Sequence, residues 1–408
     1  MFEQLIPAWE PAACFTLSVF ALNLAMCSSP RCKPPLFVLL LLLVHRSFAN
    51  SLRWPGELGN LWAISMGAWI SHCTSLLFFE DRKRLVQSQF SNPRDEGLEA
   101  PSPTSLWNNP RLLGTKSCVP GVPKLETTSS RRSFALVRIS KLVLLLAWQR
   151  YSALIFPGLL MPLRPADFSP TREIFFRRLL WPSASHTIIT KHEVYLRAAF
   201  AVWWAVGAYT MLNTLHIAFS LLAVVILRRD NLSDWPPLFG DLSEGYSVRR
   251  FWGKFWHRLL VQPYTQCGRR LCKAIPGYRL EPATERVLTL FTIFGTSGAV
   301  HAAASWQMGD RCGWPRDILW FCGNFAAGMA EVIVVRRTRA IAQRIGCHDL
   351  LDRSSRGFLG KVVGYTWVFG FFFWSVPKWQ YPKVYCKVLE ELEGMQYTSE
   401  GAKVGVYR

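Results

Sequence analysis

The sequence predicts an all-α, polytopic integral membrane protein with about eight transmembrane helices. Three observations carry this. Apolar residues make up 50% of the 408-residue chain, and they come in blocks of about 20, the length that crosses a ~30 Å hydrocarbon core as a helix. Lys and Arg outnumber Asp and Glu by 47 to 27, with the excess gathered between the blocks, as in loops retained on the cytosolic side of a membrane. Eighteen tryptophans supply a residue type that collects at membrane–water interfaces. Nucleic acid is the other usual partner of so basic a chain, but no zinc-finger, helix-turn-helix or RNA-binding pattern is present, so none is expected.

The first block covers residues 12–27, between Pro11 and "SSPRCKPP". The N-terminus lacks the basic start and small-residue cleavage site of a secretory signal, so this block reads as a retained helix. The second starts at Pro35 and runs through "LFVLLLLLV" toward His45 and Arg46; the third covers 58–79. Residues 80–132 are rich in Ser, Pro and Asn, which argues for a partly disordered loop and against a second domain. The fourth span, 142–163, carries Arg150 near its middle, and 195–227 reads as one tilted span. Blocks at 286–306, 318–335 and 358–376 complete the set. The whole chain, 1–408, is expected to form one membrane-embedded domain.

Charge sets an orientation. Residues 228–284 hold ten Lys/Arg against five Asp/Glu, and residues 336–361 hold seven against two. Both loops should face the cytosol, leaving the short turn "QMGDRCGWPR" and both termini in the lumen. The basic stretch 164–193 then either sits in the lumen against the rule or lies along the surface as an amphipathic helix. The eleven cysteines are scattered. Cys27 and Cys32, and Cys267 and Cys272, are each separated by four residues with no matching His pairs. That is poor metal spacing, and most read as free thiols packed as small hydrophobes. No metal and no permanently bound cofactor is expected.

His301 lies well inside the sixth block, in "FTIFGTSGAVHAAASW", among Gly295, Ser297, Gly298, Ala302 and Ala303. Ionisable groups at membrane depth are costly and tend to face a protein cavity; small neighbours let another helix or a substrate approach closely. A neutral imidazole there is able to accept a proton. The bland alternative is a histidine bonded between helices. That alternative is favoured for His72, for His216 with Asn213 at a spacing of three, and for Arg150 and Glu331, which could pair or could snorkel.

The second cluster is "SVRRFWGKFWHRLL", Ser247–Leu260, with four cations, four aromatics and His257 in fourteen residues. As a helix it would place Phe251, Phe255 and Arg258 on one face. Trp and Arg together read first as an interface belt, which leaves His257 unexplained, as it does the turn-forming "DWPPLFGD" just before.

These residues resemble the wax-synthase-like branch of the membrane-bound O-acyltransferases. That branch shows a Phe-Trp-Gly-x-x-Trp-His run followed by a membrane-embedded Ser-Gly-x-x-His. Phe251, Trp252, Gly253, Trp256 and His257 match the first; Ser297, Gly298 and His301 match the second. "NNPRLLGT", Asn108–Thr115, resembles a loop of fungal members, with Leu112-Leu113 where they usually have Gly-Ile. The resemblance implies acyl transfer from a coenzyme A thioester to an alcohol arriving from the bilayer, with His301 as general base and His257 orienting the thioester or its oxyanion. Arg249, Arg250, Lys254 and Arg258, with Trp252 and Trp256, would hold the coenzyme, although positive-inside topology explains the cations equally well. The fungal likeness points to acetyl-CoA and a terpenoid-type hydroxyl in secondary metabolism, at the endoplasmic reticulum; long-chain wax-ester or sterol-ester synthesis is the alternative within the family.

Two rival classes remain. A transporter would line a path with His301, His216, Glu331 and Arg150, but no repeated halves with matching broken helices are found. A noncatalytic scaffold would leave both histidines dispensable. "HDLLD" fits His-x-x-x-Asp at His348 and Asp352, but has no Asp-Phe-Gly-Trp-Gly partner.

Overall fold

The computed structural model describes residues 8–81, 85, 103–123, 130–160, 163–182, 188–274, 280–347 and 357–404. Nine long helices organise them: α1 (Glu10–Cys27), α2 (Lys33–Ala49), α3 (Gly56–Thr74), α4 (Arg131–Leu160), α5 (Lys191–Ser220), α6 (Val261–Lys273), α7 (Pro282–Gln307), α8 (Pro315–Arg344) and α9 (Phe358–Val404). No β-strand occurs among the described residues. Among the described residues, seven segments are long and apolar enough to cross a membrane, and their outward surfaces are apolar, with Phe20, Leu42 and Val363 all more than 60% exposed. Such surfaces suit lipid and not water. The protein is a multi-pass integral membrane protein.

The expected spans are present with shifted ends. The second continues past Arg46 to Ala49, and 195–227 is a single run, α5 extended by a π-helical turn at Leu221–Ile226. The expected span 142–163 is the later part of α4. The first turns of α4 are basic, with Arg131, Arg132, Arg138 and Lys141, and Arg150 follows further along. Proline opens several helices, as Pro282 and Pro315 do for α7 and α8, because the first turn has no intrahelical use for the missing N–H.

Two compact units are distinguished. The first comprises residues 1–123, 256–309 and 317–326; the second comprises 124–255, 310–316 and 327–408. In the first, α1, α2 and α3 pack around Leu22, Leu40, Val44, Met66 and Cys73. Serines tie this core across helices: the Trp69 indole donates to Ser18 at 2.9 Å, that of Trp62 to Ser47 at 3.0 Å, and Ser47 to the Pro11 carbonyl at 2.7 Å. Of the polar stretch 80–132, residues 103–123 are folded, with a 3₁₀ turn at Pro103–Asn108 and buried Leu106, Leu112 and Val119. His72 of α3 bonds the Leu106 carbonyl at 2.9 Å.

In the second unit α5 packs on α4 and α9. The basic stretch 164–193 contains short helical turns, not one amphipathic helix. Part of its charge is paired: Arg172 (2.6 Å) and Arg178 both reach Glu193, and Arg316, from outside the stretch, reaches Glu173 at 3.2 Å. Arg197, fully buried, donates to the carbonyls of Arg172 and Phe373 and lies 4.8 Å from the Phe175 ring. Cys312 and Cys386 form a disulfide; the other nine cysteines are free, in line with the expectation that most are thiols. His348 and Asp352 lie outside the described residues.

Glu331 of α8 does not pair with Arg150. Its carboxylate accepts the backbone N–H of Val248 (2.6 Å) and Arg249 (3.0 Å) and the indole N–H of Trp367 (2.7 Å). A hydrogen bond to a charged group contributes about 1.5–3 kcal/mol. Glu331→Ala should therefore lower thermal stability in detergent clearly more than Glu331→Gln, which keeps one acceptor oxygen. Equal melting temperatures would mean the carboxylate does not hold this turn.

Candidate functional site

Ser247–Leu260 does not run as one helix. A turn at Val248–Arg250, capped by Ser247, passes into a π-helical turn at Phe251–Phe255, and helicity stops there. Arg258 thus leaves the face expected to join it to Phe251 and Phe255. Glu331 holds the start of this segment, and "WPPLFG" holds its end: the Gly240 N–H donates to the Phe255 carbonyl at 2.8 Å. A side chain at Gly240 would overlap the Lys254 carbonyl oxygen, so only glycine permits this backbone contact. The aromatic members pack inward. Phe251 lies 5.0 Å from Phe372, and Trp252 stacks on Trp204 at 6.2 Å.

Residues 256–309, which include α6 and α7, belong to the first unit together with residues 103–123. Trp256 is buried, with its ring 5.7 Å from that of His257. The His257 Nδ1 is shielded from solvent. Burial first, then the neighbouring His301 and Arg111, push the His257 pKa from 6.5 down to about 4, so the ring is neutral at pH 7. His301 on α7 packs against Phe321 of α8 at 4.9 Å. Gly298 makes that approach feasible: a Cβ there would lie 2.9 Å from the Ile318 Cα and 3.2 Å from the Phe321 Cβ. One turn further along, Ala302 is buried, and Ser305 donates to Asp317 at 2.7 Å. Gly295, also expected to admit a neighbour, faces open space, and Ala303 is exposed.

Arg111 is the residue that sequence reasoning passed over. It stands in "NNPRLLGT", whose turn is built by Asn109: its Oδ1 accepts the Leu113 N–H at 2.9 Å and its Nδ2 donates to the Leu113 carbonyl at 3.0 Å. Leu112 takes φ 51°, a left-handed conformation costly for a branched side chain. The tight turn leaves Arg111 buried. Burial lowers its pKa to about 10, so it stays charged at neutral pH. A buried arginine inside a polar loop was the available signal. Together His257, His301 and Arg111 provide a proton acceptor and a fixed positive charge within electrostatic reach of one another.

The proposed coenzyme-binding cations divide differently. Arg250 is occupied by Glu244 and lies over the Tyr246 ring at 4.4 Å; Arg258 donates to the Pro120 carbonyl. Arg249 and Lys254 are exposed. Arg249, Arg250, Lys254 and Trp252 belong to the second unit; Trp256 and Arg258 belong to the first, with the histidines. His216 bonds the Pro236 carbonyl at 3.0 Å, and Asn213 bonds Tyr209 at 3.1 Å, both structural roles.

The His257 shift has a stability consequence. An unfolded histidine takes up its proton near pH 6.5, whereas the folded ring does so only near 4. The contribution of the neutral ring is complete above 6.5 and is lost as pH falls through this window. The melting temperature in detergent should fall between pH 6.5 and 4, and His257→Gln should flatten that fall. An unchanged slope in the variant would show that His257 is not the buried neutral group.

Residues 235–323 match the model of the membrane bound O-acyl transferase family. The chain is 26% identical over 324 residues to acetyltransferase spyB of Aspergillus fumigatus, covering 74% of this chain and 51% of that protein. It is 30% identical over 190 residues to acetyltransferase nanB of Aspergillus nanangensis, covering 47% and 44%. With acetyltransferase atnC of an Arthrinium species the identity is 25% over 331 residues, covering 77% and 72%. The chain spans about half the length of the first two. No solved structure matches. The matched segment contains both histidine motifs in order, on a chain of membrane-spanning helices, and over this segment the chain is similar to the membrane bound O-acyl transferase family.

Proposed function

We propose that this protein is an acyl-CoA-dependent O-acyltransferase that moves an acetyl group from acetyl-CoA to a hydroxyl of a lipophilic terpenoid or meroterpenoid intermediate, in the endoplasmic reticulum membrane. The observation that carries the reading is the gathering of both motif histidines with Arg111 in one unit, with His257 held neutral. The names of the fungal relatives support acetyl as the acyl group.

In this reading His301 accepts the proton of the acceptor hydroxyl as its oxygen attacks the thioester carbonyl. The carbonyl π bond opens onto oxygen, and a neutral His257 donates its N–H to the oxyanion while the Arg111 charge favours its development. The intermediate collapses, the C–S bond breaks, and the leaving thiolate recovers the proton from the His301 imidazolium. General-base assistance of this kind contributes roughly 10²–10⁴-fold. The lipid-facing apolar helices suit an acceptor that arrives from the bilayer.

Microsomes carrying the protein should form acetyl esters from labelled acetyl-CoA and a panel of terpenoid alcohols, in preference to esters from palmitoyl-CoA. At equal protein level, His301→Ala should lower kcat by roughly 10²-fold or more. His257→Ala and Arg111→Ala should lower it less, each removing one partner of the oxyanion. Unchanged turnover in both histidine variants would end the assignment, and a preference for palmitoyl-CoA would move it to long-chain ester synthesis.

A further inference from the structure

A second feature of the first unit lies outside the histidine cluster. Helix α6 begins four residues after His257 and is two-faced. Tyr264, Gly268 and Cys272, one turn apart, are buried. The opposite stripe, Gln266, Arg269, Arg270 and Lys273, lines a cavity of about 240 Å³ whose other wall is the end of the α3 segment, Phe79 with Glu80 and Asp81. Arg270 reaches the carbonyls of Phe78 and Phe79 at 3.5 and 3.4 Å, and Glu80 accepts from Gln262 at 2.7 Å. Arg269 and Lys273 are exposed and carry no hydrogen bond or ion pair among the described residues. Two uncommitted cations, one turn apart beside a third, form a site for phosphate oxygens. The carboxylates opposite offer acceptors to hydroxyl or amino donors.

We propose that this cavity binds a phosphate ester, and that its occupant is the nucleotide-phosphate end of the coenzyme A thioester. The assignment of that occupant rests on the acyl-transfer reading above; the phosphate site itself does not. At 1.5 Å per residue, Arg269 lies about 12 Å and Lys273 about 18 Å along α6 from Val261, a separation that a pantetheine arm spans. The mixed lining suits a nucleotide, with phosphates, hydroxyls and an amine on one ligand, better than bare phosphate. It also relieves Arg250 and Arg258 of that role, since both are already bonded within the protein.

The test is Arg269→Gln/Lys273→Gln in the full-length protein, with Arg269→Lys/Lys273→Arg as the charge-conserving variant. The neutral double variant should raise KM for acetyl-CoA about tenfold or more, since each tenfold corresponds to one good charged contact. It should change the rate with S-acetyl-pantetheine, which lacks the phosphates, by less than about twofold. The charge-conserving variant should restore much of the loss. Purified wild type should bind labelled coenzyme A, with inorganic pyrophosphate competing, and the neutral variant should bind it correspondingly more weakly. This binding arm decides the site even where no acyl transfer from either donor is found, an outcome that counts against the reaction and not against the cavity. Intact coenzyme A binding and KM, combined with lost retention on anionic phospholipid vesicles, would keep the phosphate site but assign it to a lipid headgroup. Equal losses with both donors, or no change in coenzyme binding, KM or vesicle retention, would overturn the proposal.

Discussion

A chain that crosses hydrocarbon must satisfy its backbone N–H and C=O groups internally, because no water is there to do so. Helices meet that demand along their length and fail at their ends. The polar side chains that looked most unusual in the sequence are largely spent on those failures. Glu331 takes the free N–H groups where the motif segment begins, His216 and Arg138 take the carbonyls of Pro236 and Trp235, and His72 takes that of Leu106. Each fixes an irregular segment against a helix.

That division of labour separates the histidines. His72 and His216 serve backbone carbonyls, and their rings are accounted for by that bond. His257 and His301 instead share an electrostatic neighbourhood with Arg111. Burial, with the neighbouring His301 and the Arg111 charge, penalises protonation of His257 and keeps that ring neutral. The same penalty would be relieved by negative charge appearing between them, which is the physical link between this arrangement and oxyanion chemistry.

The paired charges of 164–193 show the same economy from another side. A basic stretch set against the positive-inside rule carries two of its five cations, Arg172 and Arg178, in ion pairs with Glu193. A paired arginine is a poor reporter of topology, since the translocation cost that underlies the rule attaches to uncompensated charge. The Cys312–Cys386 disulfide lies in the same unit.

The sequence by itself determined the helical membrane class, most span positions and the two histidine motifs, because hydrophobic length and residue spacing are local properties that a linear reading can measure. It could not determine what depends on distant backbone. That the motif segment abandons α-helical geometry after Arg250 follows from Glu331, eighty residues away, and from Gly240 lying against Lys254. Arg111 was visible as a letter in a polar loop, and only the folding of 103–123 buries it near His257. The cysteines of the disulfide are 74 residues apart, with no spacing to announce them. Tertiary structure decided these points because hydrogen bonds, burial and electrostatic coupling act through space, and chain separation places no limit on which groups they join.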